Sequence, residues 1–279
     1  GAAAVAADPE MLPLERVGLD GSGASDSLMG LVLTALEDQS SNTTACGIST
    51  YLGGAVSAQT QATVLAGQVG SGIFVYVAND TGVSTYQLVD GGLAFRAQTS
   101  DGPDNYGANV SAMARIMVDG AQYLYTGSAQ EHGIDVYEIG DNGVPDLVES
   151  VGIHELLPIN AVTALSPLEV NGTQYLVVAS AGSSSLSVSV VGVDGTLSVT
   201  DHVLDTRDTR FQNVAHVAVF EYDGHGFVLA AGSDDGLSLF ALVEGGHLVH
   251  LQTLADTVEL STADVSGLHV EMIGDEVQV

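Results

Sequence analysis

The sequence predicts an all-β fold, a β-propeller of four-stranded antiparallel blades. Segments centred on an aromatic residue recur along the chain, and each is followed by a segment that alternates apolar and polar residues. A glycine-containing turn then follows each alternating segment. Glycine accounts for 34 of the 279 residues, which suits many short strands joined by tight turns. Four consecutive strands per unit of about 50 residues is the pattern of a propeller blade.

The aromatic segments define the repeat. Phe74, Tyr123, Tyr175 and Phe227 recur at intervals of 49, 52 and 52 residues. Each lies in a short apolar run, such as Gln174-Tyr-Leu-Val-Val-Ala179. We therefore predict that the four aromatic residues occupy equivalent places on second strands and are buried between blades.

The remaining strands are placed around these segments. A half-buried strand alternates apolar and polar residues. Segments with this alternation predict the third strands, at Gly82–Leu88, Gly133–Ile139, Ser185–Val191 and Gly236–Leu242. Turns follow at Asp90-Gly91-Gly92, Asp141-Asn142-Gly143, Asp194-Gly195 and Glu244-Gly245-Gly246. Fourth strands are expected at Leu93–Thr99, Leu147–Gly152, Leu197–Leu204 and Leu248–Leu254, and first strands near Val110–Val118, Ala161–Val170 and Val214–Tyr222. A β-sandwich or a β-solenoid is the structural alternative. A sandwich does not require near-identical units, and a parallel solenoid has much shorter coils without hairpins.

The domain prediction has a flexible segment at residues 1–12 and a propeller at 13–279, with about five blades represented. Residues 26–72 form a degenerate or inserted blade, in which Thr63–Val69 is a possible first strand. Leu14–Val17 resembles the fourth strand Leu147–Gly152 and is expected to pair as an outermost strand. The last residues read as a first strand and the start of a second, so we expect an incomplete blade and further residues beyond Val279.

The charge balance excludes some partners. Asp and Glu total 35 against five basic residues, all of them Arg, which gives a net charge of −30. Such a surface repels nucleic acid and anionic membranes. The excess acid favours solubility and attracts divalent cations, although hydration of the surface alone is sufficient to explain it. The single cysteine, Cys46, cannot form an intrachain disulfide. These features are compatible with a secreted, extracellular protein and equally with a cytoplasmic one.

Some units resemble a known family. Tyr175–Ser180, Gly232–Phe240 and Asp90–Leu93 are similar to segments in the N-terminal propeller-like regions of secreted RTX-type calcium-binding proteins. They resemble lactonase-like propellers more loosely. The resemblance implies an extracellular propeller, with calcium-roll repeats beyond Val279. The G-G-x-G-x-D-x-U-x nonapeptide of those repeats does not occur in this chain.

Candidate ligand residues come from the connections between blades. An amide or carboxylate precedes each expected first strand, at Asn109, Asn160, Asn213 and Asp264. His216 lies just inside one of these strands. Convergent oxygen ligands at a channel mouth would suit a hard cation or a sugar. Turn chemistry is the simpler explanation, because Asn and Asp bond their own backbone and tolerate left-handed conformations.

Acidic turns between second and third strands give a candidate metal site at Asp80, Asp234 and Asp235, with Ca²⁺ as the candidate cofactor. A plain turn is the alternative for Asp234-Asp235-Gly236. Arg207 and Arg210 share a loop with Asp205 and Asp208 and are expected to pair with them.

Two classes of function remain open. The first is a non-enzymatic secreted binding or scaffold module that recognises carbohydrate or a partner protein at a surface. The chain lacks H-E-x-x-H, paired-cysteine zinc spacing, G-x-S-x-G and the phosphate-binding lysine motif, so we assign no catalytic residue. The alternative is a lactonase-like or glycan-cleaving enzyme that uses Asn109, Asn213, His216 and Asp264 at the channel mouth. A propeller fold is compatible with both.

Overall fold

The described part of the chain consists of four antiparallel sheets that follow one another along the sequence. The structure is a computed structural model, and it describes residues 63–257 except 91 and 156, together with residues 262, 265, 267–273 and 276–279. Each sheet contains four consecutive strands in sequential order, so each is one blade. The predicted propeller fold is thereby confirmed. Within the described residues there is no helix of the length and apolarity that a membrane span requires.

The strands are short and joined mainly by tight turns. Blade 1 comprises β1 (Val64–Val69), β2 (Gly72–Asn79), β3 (Gly82–Val89) and β4 (Gly92–Gln98). Blade 2 comprises β5 (Val110–Val118), β6 (Ala121–Ser128), β7 (Gly133–Ile139) and β8 (Pro145–Gly152). Blade 3 comprises β9 (Val162–Val170), β10 (Thr173–Ser180), β11 (Ser185–Val191) and β12 (Leu197–Leu204). Blade 4 comprises β13 (His216–Tyr222), β14 (His225–Ala231), β15 (Gly236–Val243) and β16 (His247–Ala255).

The blades repeat in register as well as in strand order. Each pairing of a third with a fourth strand contains one irregularity, and it falls at the same place in every blade: Thr85/Tyr86, Val136/Tyr137, Val188/Ser189 and Leu239/Phe240. A bulge re-aims the strand locally, so four equivalent bulges give the four outer strands the same course. The predicted strands are confirmed, and Val64–Val69 is the first strand of blade 1.

A fifth, two-stranded sheet follows blade 4. It contains β17 (Glu271–Ile273) and β18 (Glu276–Gln278), which pair antiparallel. The described residues therefore contain four complete blades and one hairpin. The predictions for residues 1–12, for Leu14–Val17 and for most of 26–72 lie outside the described residues.

Aromatic side chains on the second strands fasten each blade to the next. A side chain at Gly143 or Gly195 would overlap the ring of Phe74 or Tyr123 respectively. One at Gly246 would overlap the Thr200 hydroxyl and make a tight contact with the ring of Tyr175. The three glycines have φ between 76° and 79°, the left-handed region that a Cβ disfavours. Glycine is therefore needed there for its backbone conformation and for the space it leaves.

The predicted equivalence of the four aromatic residues is confirmed. Phe74, Tyr123 and Tyr175 are buried, with 3%, 4% and 9% of their surface exposed. Phe227 has the same place on its second strand but is only half-buried. Its ring lines an open apolar groove on the face of blade 4 that points away from blade 3.

The first strands bring the blades together. The first strands β5, β9 and β13 of consecutive blades contact one another extensively, whereas the fourth strands are in much less contact. The blades therefore fan outward from their first strands. The turns between second and third strands and the connections from fourth to first strands lie at one end of this fan, which we call the loop face.

Candidate functional site

Three backbone positions at the entrance to the first strands shape the loop face. Asn109, Ala161 and Asn213 each precede a first strand and have φ of 49°, 54° and 49°. Asparagine tolerates this left-handed conformation better than most residues, which explains why it recurs at two of the three places. The predicted equivalence of Asn160 with Asn109 and Asn213 is therefore wrong by one residue, because Ala161 takes the left-handed place in blade 3.

The same three residues link neighbouring blades. The Asn109 N–H donates to the carbonyl oxygen of Asp80 at 3.0 Å. The Ala161 N–H donates to Nδ1 of His132 at 3.0 Å. The Asn213 N–H donates to the hydroxyl of Ser184 at 3.0 Å. In each case the acceptor belongs to the second-to-third turn of the preceding blade, so these bonds hold the loop face in one arrangement.

Exposed side-chain amides are concentrated on this face. We call the following set the amide rim: Asn109, Gln130, Asn160, Gln212 and Asn213, all exposed. Asn109 donates from Nδ2 to Gln130 Oε1, and Asn213 donates from Nδ2 to the Ser233 hydroxyl at 3.0 Å. Asn160 uses its backbone carbonyl to accept from the Gly182 N–H at 2.9 Å. Its side-chain amide lies over Gly182, where a Cβ would overlap the Asn160 Oδ1.

Of the two remaining predicted ligand residues, the structure describes His216 but not Asp264. His216 is half-buried at the start of β13 and pairs with Ala231. The equivalent residues of blades 2 and 3 are Ala112 and Ala164, so blade 4 alone among the described blades carries an imidazole at this level. Asp264 lies outside the described residues.

The acidic residues are distributed over separate turns. Asp80 is exposed in blade 1, whereas Asp234 and Asp235 belong to the turn between β14 and β15. Asp234 is half-buried, and its carboxylate accepts from the Gln212 N–H at 3.1 Å. Burial, and secondarily the nearby Asp205, raise the pKa of Asp234 above its ordinary value. Among the described residues no group of three or more His, Cys, Asp or Glu side chains is placed to hold a metal ion.

The predicted ion pairs of Arg207 and Arg210 are wrong for the described residues. The Asp205 carboxylate instead accepts from the Thr209 hydroxyl at 2.7 Å and the Phe211 N–H at 3.2 Å, which closes the loop on itself. Arg210 donates from its guanidinium to the Asp234 carbonyl at 3.4 Å. Arg207 is exposed, where an ion pair would contribute little.

The sequence analysis missed a buried carboxylate, Asp135. It is 0% exposed and accepts hydrogen bonds from the Tyr106 N–H, the Ser150 hydroxyl and the Tyr137 hydroxyl. Burial raises its pKa above the ordinary value. Because it is sealed from solvent, Asp135 positions the connection that carries Tyr106 and cannot touch a ligand. Serine occupies its place in the other blades, at Ser84, Ser187 and Ser238, and this exception in the repeat was the available signal.

Comparisons with known proteins support the fold. No protein-family model matches the chain, and no curated protein matches it. The periplasmic gluconolactonase PpgL of Pseudomonas aeruginosa aligns with a TM-score of 0.53 and 19% identity, over 72% of this chain and 55% of that one. A putative 6-phosphogluconolactonase of Bacteroides uniformis aligns with a TM-score of 0.51 and 17% identity, over 75% and 59%.

An exo-β-1,3-galactanase of Phanerochaete chrysosporium aligns with a TM-score of 0.46 and 13% identity, over 74% of this chain and 52% of that one. The chain thus spans about half the length of these solved structures. The looser resemblance, to lactonase-like propellers, is supported at the level of the fold. The resemblance to RTX-type calcium-binding proteins is not supported by these structures.

Proposed function

We propose that this protein is a secreted, non-enzymatic binding module whose loop face recognises carbohydrate. The observation that supports this best is the amide rim. A side-chain amide both donates and accepts hydrogen bonds, which matches the hydroxyl groups of a sugar. Several amides held on one face can contact several hydroxyls at once.

The hydrogen bonds between blades favour binding without rearrangement. Three backbone N–H groups fix the loops that carry Asn109, Asn160 and Asn213. A site that is already ordered loses less conformational entropy when a ligand binds. Secretion is supported only indirectly, by the large negative charge and by the fold shared with a periplasmic protein.

Glycine substitutions test the rim with little strain, because Asn109, Asn213 and Asn171 all have φ near 50°. Asn171 lies on the opposite face, in the turn between β9 and β10, and provides the matched control. Purified protein is titrated with soluble polysaccharides selected on a glycan array. We expect Asn109→Gly combined with Asn213→Gly to weaken binding by about tenfold or more, since two hydrogen bonds are lost. Asn171→Gly should leave the affinity unchanged.

Two results would count against carbohydrate recognition at this face. The first is equal weakening by Asn171→Gly and by the paired substitution. The second is the absence of binding to any polysaccharide on the array, which would leave a partner protein as the ligand.

A lactonase-like enzyme is the second candidate. The likeness of the fold to two lactonase propellers favours it, as does Asp234, a loop-face carboxyl whose pKa is raised by burial. A carboxyl whose pKa is raised holds its proton more tightly than an ordinary aspartate, which is a property of catalytic acids. Hydrolysis of gluconolactone, followed by acid release, tests the idea. A rate above buffer that falls in His216→Ala or Asp234→Asn supports the enzyme, and a rate equal to buffer rejects it for this substrate.

A further inference from the structure

Arg115 is a cation in a place where the other blades have apolar residues. It lies in the middle of β5 and pairs with Leu124 on β6. By register, the equivalent residues of the other three blades are Ala66, Pro167 and Val219. A charged group is costly to remove from water, so the packing of the first strands does not explain why blade 2 has an arginine here.

The Arg115 side chain is inserted between the first strands of blades 1 and 2. Its guanidinium lies directly over Gly67 of β1, where a Cβ would overlap Nη1 and Cζ. Leu65 and Val69 lie on the same face of β1 and belong to the apolar cluster between the two blades. Arg115 is therefore half-buried beside apolar side chains, and the missing side chain of Gly67 leaves room for the guanidinium.

The guanidinium of Arg115 has no acceptor among the described residues. Nη1 is buried and lacks a hydrogen-bond partner, whereas Nε and Nη2 are not sealed from solvent in this way. Burial lowers the pKa of Arg115, and Tyr76 is the ionisable group that opposes this shift. Tyr76 is itself a donor, to the Gly143 carbonyl. Although the chain has 35 acidic residues, no carboxylate in the described part of the chain forms an ion pair with Arg115.

The other described arginines are satisfied differently. Arg96 donates from Nε to Gln87 Oε1 at 2.9 Å, and Arg210 donates from Nη1 to the Asp234 carbonyl at 3.4 Å. Arg207 is exposed, so water can solvate its charge. Of these four arginines, Arg115 alone combines partial burial with the lack of an acceptor.

The guanidinium is open toward the inner side of the fan of blades. β5 is the edge strand of its sheet, with β6 on its outer side, and the first strands of consecutive blades lie beside one another. A small molecule can therefore approach Nε and Nη2 from the inner side. Arg115 lies five residues after Val110, the start of β5 at the loop face, which is roughly 17 Å along an extended strand. This place is thus separate from the amide rim.

We propose that Arg115 anchors a second binding site, which takes a small molecule with a single carboxylate. A planar guanidinium presents parallel N–H donors that match the two oxygens of a carboxylate. The net charge of −30 repels a polyvalent anion more strongly than a monovalent one, which favours a monocarboxylate over phosphate. Such a ligand neutralises a cation that the described part of the protein leaves uncompensated. The site does not depend on carbohydrate binding at the loop face.

Thermal melts in acetate test the site. The protein is compared at pH 7 in sodium acetate and in NaCl of equal ionic strength, so that screening is matched. Acetate that binds the folded state raises the melting temperature above the value in NaCl. Arg115→Met removes the cation and introduces an apolar residue, as in the other blades. Arg207→Met makes the same change of charge at an exposed arginine and is the matched control.

The expected result is an acetate-specific rise in wild type and in Arg207→Met that is absent in Arg115→Met. Saturation-transfer NMR of the acetate methyl group measures the dissociation constant, which Arg115→Met should raise by about tenfold or more because charge-assisted hydrogen bonds are lost. In NaCl alone, Arg115→Met should melt no lower than wild type, since a partly buried charge without a partner is removed. No acetate-specific rise in wild type, or an equal rise in Arg115→Met, would overturn the proposal.

A glycine substitution tests the geometry while the charge is unchanged. Gly67 lies within the strand β1, so alanine is compatible with its backbone, but the added Cβ would take the place of Nη1. Gly67→Ala should displace the guanidinium and weaken acetate binding. Gly92→Ala on β4, where the nearest contact of a Cβ is at 3.9 Å, should leave it unchanged.

Two further results would count against the site. Acetate binding that is equal in Gly67→Ala and wild type would contradict the position of the guanidinium over Gly67. Tighter binding of inorganic phosphate than of acetate to wild type, measured by the same melts, would overturn the assignment to carboxylates.

Discussion

The hydroxyl of Tyr125 in blade 2 donates a 2.7 Å hydrogen bond to the carbonyl oxygen of Gly195 in blade 3. Tyr76 makes the same bond, at 3.0 Å, to Gly143 one blade earlier. Both tyrosines are fully buried. Burial raises the pKa of Tyr76 to about 12, and it raises the pKa of Tyr125 further. The hydroxyls therefore stay protonated and act as donors throughout the ordinary pH range.

Removal of the Tyr125 hydroxyl tests this link. Tyr125→Phe keeps the ring and leaves the Gly195 carbonyl without its donor. We expect the free energy of unfolding to fall by about 1–3 kcal/mol, measured by urea denaturation. Tyr175→Phe is the control, because Tyr175 packs in the same interface series without a hydrogen bond from its hydroxyl among the described contacts. An equal loss in both variants would show that the Tyr125 bond contributes nothing specific.

Replacement of the whole Tyr175 side chain tests the packing of an aromatic ring against a glycine. The ring lies against Gly246, and only 9% of the residue is exposed. Tyr175→Ala should destabilise the protein by roughly 3–5 kcal/mol, as other buried aromatic truncations do. A thermal melt compares the variant with wild type and with Tyr175→Phe. A melting temperature within about one degree of wild type would contradict the burial.

The repeat was predictable because its chemistry is local. Gly143 and Gly195 lie in turns that need a left-handed backbone, and Tyr123 lies in a short apolar strand. Each of these local requirements produces a recognisable sequence pattern. The half-buried state of Phe227 was not predictable. It depends on what covers blade 4, which is a property of the next blade and not of the strand itself.

The candidate site was predicted less accurately than the fold. The sequence analysis treated Asn160 as equivalent to Asn109 because both come just before a predicted first strand. In blade 3, however, the left-handed residue at that position is Ala161. The sequence predicted that Arg210 forms an ion pair with Asp205 or Asp208, because these charged residues are close together in the chain. In the folded loop the Asp205 carboxylate accepts hydrogen bonds from Thr209 and Phe211, and the Arg210 guanidinium donates to the Asp234 carbonyl.

The pH dependence of Asp135 follows from its burial. Burial raises its pKa above 3.8 in the folded state, so the folded protein holds this proton more tightly than the unfolded chain does. The stability that comes from this group is full at pH values below the unfolded pKa and is lost as the pH rises through the folded pKa. The asparagine of Asp135→Asn has no such proton, and its amide can still accept from the Tyr106 N–H.

We therefore expect the stability of wild type relative to Asp135→Asn to fall as the pH rises from about 4 to 8. Urea denaturation at several pH values measures this difference. The same series with Asp141→Asn, which changes an exposed turn residue, should give a smaller slope. A difference between wild type and Asp135→Asn that does not change with pH would mean that burial has no effect on this carboxyl.

The last prediction concerns calcium. The 35 acidic residues repel one another, and the repulsion is screened beyond about 8 Å at physiological salt. Asp234 lies near Asp205, and this neighbour helps to raise its pKa, so the pair is one place where a divalent cation would relieve repulsion. Oxygen ligands are those that Ca²⁺ prefers, and an ion that binds only the folded state stabilises it by mass action. We expect millimolar CaCl₂ to raise the melting temperature more than NaCl of equal ionic strength does.

Substitutions locate the effect on the loop face. Asp234→Asn should reduce the difference between the two salts, because it removes a half-buried carboxylate beside Asp205. Asp80→Asn, which removes an exposed carboxylate from a different blade, should reduce it less, since an exposed charge is screened by ordinary salt. Equal shifts in CaCl₂ and NaCl for the wild-type protein would mean that screening alone accounts for the response. An unchanged difference in both variants would place any calcium site away from these turns.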